Sequence, residues 1–535
     1  MTETNGTTAT AHVVRICTGS ETLDRARSLA TAARDEATAA SVLEVGSAGV
    51  GELDPLVLTT HEGTTAFHAD PSADDVRSLV RAVEDGDVSA SEAHAVVEHD
   101  PETGAAPLPD EGPLDVGRRR VLARAGWVVP GELTDDDRLA TDVVRDDPDA
   151  ADERVRRVGL LGRGRGDGST DDPVVDEWDR ARETVDSGSD DPVLVVNGNE
   201  SDGRNRTDRT LLESDPTAVV DGTLAVADLL DVEDVVFYCN ESERLARDRL
   251  RTAVDAVCER VDPPKRPQVV AGPDQYIAGE MTMALEAMEG NDRLEARLRP
   301  PTPAQHGLYG RPTVIHTPRT MAQLRELLVD PEAFDADDAD PGTRLVTVSG
   351  DVAAPATVEL STGGSLATVR EAVTLDESFK MACVGGQFGG LTRSLDYAPS
   401  APGLAGAGLG TDGAVELFDE SRCAVATAGK RARFAEESNC GRCVPCREGS
   451  TQLTDLLRDV YGGDYKDGML RELTRVMGTT STCDFGQGAA RPVRSAMDRF
   501  ETEFHAHAEG RCPSGECETK REATEQRVAS TSEAR

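Results

Sequence analysis

A chain of 535 residues is too long for a single hydrophobic core, and at roughly 150 residues per domain it predicts three or four. Its 99 Asp+Glu against 57 Lys+Arg leave a formal charge of -42, which excludes a nucleic-acid partner, because phosphate neutralisation needs clustered basic residues. No apolar run approaches the ~18 residues of a membrane span, and the N-terminus "MTETNGTTATAHVV" lacks the basic and apolar blocks of a signal peptide, so a cytoplasmic chain without direct membrane insertion is expected.

Only five lysines occur (Lys265, Lys380, Lys430, Lys466, Lys520) while Asp is abundant, the composition expected of a halophilic surface whose self-repulsion is screened by molar salt. In a reducing compartment the eleven cysteines are expected to be metal ligands, buried thiols or redox groups rather than disulfides.

Residues 12–95 read as a small α/β unit. "HVVRIC", "PLVLTT" and "TTAFHA" are predicted strands; "ETLDRARSLATAARDEA" and "ADDVRSLVRAVEDG" are predicted amphipathic helices, the second closed by Gly86. The unit is taken to span 1–100, followed by a Pro, Gly and acidic linker with a helical lead-in over 101–150.

From 151 to 335 apolar strands ("PVLVVNG", "VEDVVFYC", "RPQVVAG") alternate with helical stretches, the pattern of an α/β sheet. It opens on "GLLGRGRGDG" (Gly159 to Gly168). Asp167 falls where a dinucleotide fingerprint needs its third glycine, so the loop alone is weak support for a phosphate cradle. An acidic linker then leads to short β segments over 343–420, and residues 426–507 are mostly helical. Residues 508–535 read as a polar tail.

The helical region carries "ESNCGRCVPCREGS". Cys440, Cys443 and Cys446 form C-x2-C-x2-C, stiffened by Pro445, and Cys483 is the natural fourth ligand. Three thiolates at this spacing wrap one side of a cubane while a distant one closes the last iron, as in a 4Fe-4S cluster. Mononuclear zinc more usually presents two separated C-x2-C pairs, and buried free thiols are the third reading.

Together with "TTSTCDFGQGAARPVRSAMDRFETEF", this stretch resembles the cluster-bearing helical domain of the flavin subunit of respiratory complex I, and of related NAD-reducing and electron-bifurcating hydrogenases. Asn439, inserted before the first cysteine, is a departure. Further matches follow in the same order upstream: the glycine loop, Trp178, "VVNGNESD", "DRTLLESDP", "YIAGEMTMALEAMEG" and "RPPTPAQHGLYGRPTVIHT".

The resemblance runs from about 115 to 517. It implies a multidomain α/β chain: a thioredoxin-like N-terminal domain, an α/β flavin domain, a soluble-ligand-binding β-grasp (SLBB-like) module and a C-terminal helical bundle holding the iron–sulfur cluster.

By the same resemblance an FMN pocket is lined by Gly162, Gly164, Asn197, Asn199, Glu200, Asp202, Tyr276, Gly279, Glu280 and Thr320. It implies an oxidoreductase subunit passing electrons from a flavin, reduced by NADH or another donor, to the 4Fe-4S cluster and on to other electron-transfer subunits. The alternative is a relay or scaffold subunit that has lost both FMN and NADH.

The nicotinamide side departs most. Gly168, Arg180 and Thr302 stand where the family has phenylalanines, Glu177 replaces a lysine, Met281 an acidic residue, and His316 and Thr317 paired asparagines, so NAD is expected to bind poorly. In the N-terminal unit only Cys17 survives of four family thiols, with Thr22, Ser47 and Gly51 at the others, and it is read as a buried thiol. Cys239, Cys258, Cys383 and Cys423 are read as core, and Cys512 and Cys517 as the remnant of a bridge to a missing ferredoxin domain.

Overall fold

A computed structural model describes residues 12–88, 93–134 and 137–517. The readings of the extreme N-terminus and of the tail beyond 517 fall outside these residues. Among the described residues no helix is long and apolar enough to cross a membrane.

The N-terminal sheet is built from β1 (His12–Thr18), β2 (Ser41–Gly46), β3 (Leu56–His61), β4 (Thr64–Ala69) and β5 (Ala95–Glu98) in the order β2-β1-β3-β4-β5. β1 and β2 run parallel and the remaining pairs antiparallel, a thioredoxin-like arrangement. The expected helices form at Leu23–Glu36 and Ala73–Glu84, the second held by a Ser72–Asp75 capping box. Cys17 is buried, and burial pushes its thiol far up, as expected of an inert core cysteine. The unit packs on the next domain, where the Arg249 guanidinium donates to the Thr18 carbonyl and Ser20 donates to Glu213.

The central sheet comprises β6 (Val193–Gly198), β7 (Asp234–Asn240), β8 (Gln268–Gly272) and β9 (Thr313–His316). All pairs are parallel, in the order β8-β7-β6-β9. β6 and β9 are buried throughout, which explains the apolar run Val193–Val196 of β6. The chain proceeds from β6 to β8 in one direction and returns on the other side with β9. The switch point therefore lies at the carboxyl ends of β6 and β9, where such sheets open a crevice.

The third sheet holds β10 (Thr343–Gly350), β11 (Ala356–Ser361), β12 (Phe379–Val384), β13 (Gly390–Thr392) and β14 (Ala414–Asp419) in the order β11-β10-β14-β12-β13. β10 and β14 pair in parallel and the other pairs are antiparallel. Buried charges tie this sheet to its neighbours. Glu359 accepts hydrogen bonds from the amides of Arg120, Val121 and Leu122 at 2.9–3.2 Å and from the Thr343 hydroxyl at 2.5 Å. Arg163, 2% exposed, reaches Asp340 at 2.8 Å.

The last layer is helical: Ala424–Ser438, Val444–Tyr461, Asp467–Thr480, Arg491–Arg499 and Glu501–Ala508 surround a core that includes Phe485, Phe500 and Phe504.

Since Glu359 satisfies the buried amides of Val121 and Leu122, Glu359→Ala leaves these two unpaired at about 1–3 kcal/mol each. We expect a large fall in the thermal midpoint, measured by calorimetry, and a smaller one for Glu359→Gln, which keeps an acceptor oxygen.

Candidate functional site

The four predicted cluster cysteines converge where two helices begin. Asn439 ends the helix Ala424–Ser438, its side-chain amide donating to the carbonyls of Ala435 at 2.8 Å and Glu436 at 2.9 Å while its oxygen accepts from the Gly441 amide at 3.0 Å. The inserted residue thus shapes the turn that presents Cys440. Cys443 caps the helix Val444–Tyr461, Cys446 lies in its first turn, and Cys483 caps the short helix Asp484–Gly488.

The four sulfurs line a cavity of about 290 Å³ with Met283, Ala296, Thr482 and Phe485. Cys446 and Cys483 are buried, whereas Cys440 and Cys443 are partly exposed. Among the described residues no three of these thiols lie mutually within 4.8 Å, the reach of a single ion's ligand set. The cage is sized for a multi-iron cluster rather than one zinc.

Electrostatics agree. Burial, then the neighbouring thiols, pushes Cys446 far up, and burial followed by Glu280 pushes Cys483 up to about 12. Against the effect of its own burial, hydrogen bonds from the backbone of Thr482 and Cys446 lower Cys443. Buried thiols that resist ionisation become thiolates only against a strong local cation charge, which iron supplies. The residues present therefore fit a 4Fe-4S cluster.

A second site occupies the switch point. A cavity of about 440 Å³ is lined by Asn197, Asn199, Glu200, Asp202, Tyr276 and Gly279, six of the ten residues predicted for the flavin, with Arg165, Arg319 and Asp412. Asn197, one residue before the end of β6, donates to the carbonyls of Gly166 and Gly279, each at 3.2 Å, which locks the glycine loop against the stretch around Tyr276. Asn199 donates to the Tyr238 hydroxyl at 3.1 Å. The Arg165 guanidinium lies over the Tyr276 ring, 3.9 Å from its centroid. Two buried polar atoms here have no partner in the protein, Arg165 Nη1 and Tyr276 Oη.

The other four predicted flavin residues do structural work. A Cβ at Gly162 would meet Asp167 Oδ1 at 2.5 Å, so this glycine faces its own loop. Gly164, with φ +84°, packs against Arg319. Glu280 is fully buried as an N-cap, accepting from the amides of Thr282 and Met283, and is paired with Arg299 at 2.9 Å. Burial raises Glu280, against the pull of Arg299. The Thr320 hydroxyl donates to Asp167 at 2.6 Å.

Asp167 is the residue whose role the spacing did not disclose. Its carboxylate is fully buried at the start of the helix Pro318–Val329, where it also accepts from the Thr317 amide at 3.3 Å and bonds His316 Nδ1 at 3.1 Å. Asp208 takes the Arg319 amide at 3.0 Å and its guanidinium at 2.7 Å. The helix end, the natural seat of a phosphate dianion, thus holds two of the chain's own carboxylates. The residues present fit the ring and polyol of a flavin mononucleotide, and the orphaned Arg165 donor fits its phosphate; the helix end does not.

The flavin-type cavity adjoins a cleft of about 1390 Å³, with which it shares Arg165, Tyr276 and Asp412 and whose far wall is Asp484, Gln487 and Arg491 of the helical layer. Tyr276 meets Phe485 edge-on with centroids 5.9 Å apart, and Phe485 lines the cluster cage. A single aromatic layer therefore separates the cavity from the cage.

A parallel α/β crevice backed by a four-thiol cage defines the class of electron-transfer proteins that join a flavin domain to an iron–sulfur domain. Residues 155–326 match the Nuo51 FMN-binding domain, and residues 426–507 match the NADH-ubiquinone oxidoreductase-F iron–sulfur binding region.

The chain is 31% identical over 393 residues to the second F subunit of NADH-quinone oxidoreductase in Rhizobium meliloti, covering 68% of this chain and 90% of that one, and it belongs to the family of NADH-quinone oxidoreductase F subunits. It is also similar to the NADP-reducing hydrogenase subunit HndC of Solidesulfovibrio fructosivorans, 28% identical over 68% of this chain and 77% of the relative. A crystal structure of NAD+-reducing [NiFe]-hydrogenase in the H2-reduced state shares the fold with a TM-score of 0.63 at 22% identity, over 93% of this chain and 85% of the other.

Because Cys483 is the cysteine lining the cage that lies outside the C-x2-C-x2-C loop, Cys483→Ala is expected to leave three-iron or iron-poor protein. Iron analysis and electron paramagnetic resonance on anaerobically purified protein check it; full iron with an unaltered signal contradicts the assignment.

Proposed function

We propose that this chain carries electrons from FMN in the switch-point cavity to the 4Fe-4S cluster, within an assembly of other electron-transfer subunits. FMN, when bound, accepts electrons in pairs and releases them singly. The observation that carries this reading is the pair of orphaned atoms, Arg165 Nη1 and Tyr276 Oη, in a polar cavity one aromatic layer from the cage. Unpaired buried donors are costly, and a ligand in the cavity removes that cost.

Each wall has a task in this reading. Asn197, Asn199, Ser201 and Asp202 would meet the ribityl hydroxyls, Gly279 gives the ring room beside Tyr276, and Arg165 would turn its free Nη1 to the phosphate. Tyr276 and Phe485 exclude water between cavity and cage. A second reading, a cluster relay without flavin, is favoured by Asp167 and Asp208 at the helix end, because a phosphate there would meet carboxylates instead of amides.

Flavin titration at molar salt separates the two. Arg165→Ala is expected to weaken FMN about tenfold or more, the loss of a charge-assisted hydrogen bond of ~1.5–3 kcal/mol. If wild-type protein takes up no FMN in excess while dithionite still reduces its cluster, the relay reading holds.

The donor side is open and poor in rings. On the lining of the wide cleft, Tyr276 and Phe388 are the only aromatic residues, beside Gly168, Met281 and Arg299. Arg180 is tied to Glu177, and Thr302 lies in a turn where its amide donates to Gln305 at 3.1 Å. Three lost stacking partners at ~1 kcal/mol each weaken NADH roughly a hundredfold. Ferricyanide assays are expected to give little NADH turnover; a KM within about 1 μM to 1 mM would mean the cleft recognises NADH by other groups.

A further inference from the structure

Away from both sites, a second set of metal-ligating side chains closes on a single point. Cys423, His507, Cys512 and Cys517 each present one ligand atom, and all four atoms lie within 4.8 Å of one another. Cys423 Sγ and His507 Nε2 are 3.3 Å apart. Ligands held tetrahedrally at the Zn–S and Zn–N lengths of about 2.3 and 2.0 Å sit roughly 3.5–3.8 Å from each other, so the set already has the scale of one ion. It differs in kind from the cluster cage, where no three thiols approach so closely.

The surroundings hold these side chains in ligating orientation. Cys423 is fully buried and caps the helix Ala424–Ser438, its sulfur accepting from the Ala426 amide at 3.3 Å. His507 Nδ1 donates to the Glu503 carbonyl at 2.6 Å, which fixes the tautomer and aims the Nε2 lone pair at the thiols. Cys512 and Cys517 flank a turn in which the Gly515 amide donates to the Cys512 carbonyl at 3.1 Å, and the Tyr461 hydroxyl lies 3.7 Å from the Cys517 sulfur. Glu516, between them, accepts from the Cys423 amide at 2.7 Å and pairs with Lys430 at 2.9 Å, so the turn is seated on the helix it faces.

We propose that Cys423, His507, Cys512 and Cys517 bind one Zn²⁺ ion in a closed structural site. Three thiolates and a neutral imidazole are the donor set of a redox-inert tetrahedral ion, and four protein ligands leave no position for substrate. On binding, the three thiols lose their protons to solvent and form three Zn–S bonds, with no change of oxidation state. The ion fastens residues 512–517 to the start of the helix whose other end presents Cys440. That helix has 15 residues, so about 22 Å of helix runs between the two ligand sets. Cys512 and Cys517 are therefore ligands rather than a remnant, and Cys423 is more than core.

The test uses the full chain, purified anaerobically, given Zn²⁺ alone and then desalted. We expect one zinc per chain by mass spectrometry of the metals, retained in Cys483→Ala while iron falls. The Cys512→Ser/Cys517→Ser double variant should lose at least tenfold of its zinc while iron and the cluster signal stay unchanged. His507→Cys supplies a fourth thiolate and should keep the ion. Should the double variant fail to fold, wild-type protein loaded with Co²⁺ decides, through the intense visible absorption of tetrahedral thiolate cobalt. Zinc-free wild-type protein, undiminished zinc in the double variant, absence of the cobalt bands or a Cys512–Cys517 disulfide in the anaerobic protein each overturns the proposal.

Discussion

Four rings meeting edge to face hold the functional parts of this chain in register. Tyr276 from the crevice, Phe388 from the β module, Phe434 from the helix before the cluster loop and Phe485 beside the last cluster cysteine lie with centroids 4.9–6.0 Å apart in every pair that touches. Each ring comes from a different segment, and aromatic residues make up only 3% of the chain. Edge-to-face pairs add about 0.5–1.5 kcal/mol beyond their buried area, and their geometry is directional. The knot therefore sets the distance between crevice and cage as well as sealing it.

Around that knot the domains are joined mostly by charge. Arg163 reaches Asp340, Arg431 reaches Glu416 and Gln387, and Asp202 accepts from the Gln387 amide at 2.9 Å, so crevice, β module and helical layer share one buried polar network. Removing one partner of such a pair leaves an uncompensated buried charge, which is far costlier than the pair is stabilising. Arginine is the cation of this network, as its fixed fork of donors requires. With so few lysines in the chain, arginine supplies these bridges as well as most of the exposed ion pairs, such as Arg433 with Glu437 and Arg475 with Glu472.

Much of this is legible in residue order. The apolar runs of the central sheet, the helix patterns and the C-x2-C-x2-C loop are local signals, and each falls where expected. β2, "SVLEVG", gives no such signal because its face alternation is blurred: four of its six residues are only partly buried. The role of Asp167 is hidden for another reason. Its partners, His316, Thr317 and Thr320, lie some 150 residues away and meet it only because β9 returns beside β6. Cys423 is likewise separated from His507 by 84 positions, so each member of that group reads alone as a core or stray residue. Long-range convergence leaves no periodicity to find.

Arg319 shows how such an arrangement constrains its own history. Its guanidinium holds Asp208 and Glu200 and donates to the Asp412 carbonyl at 2.7 Å. Two glycines make room for it: a Cβ at Gly164 would come within 3.0 Å of the guanidinium carbon, and one at Gly413 within 2.7 Å of Nη1. A side chain at either glycine must displace the guanidinium and adopt a left-handed backbone, and at Gly413 it also meets the Leu345 carbonyl at 2.8 Å, while loss of the arginine strands two buried carboxylates. These positions, scattered along the chain, are thus bound into one epistatic unit, which single substitutions cannot leave without passing through a destabilised ancestor. Divergence within the family should carry these positions together or not at all.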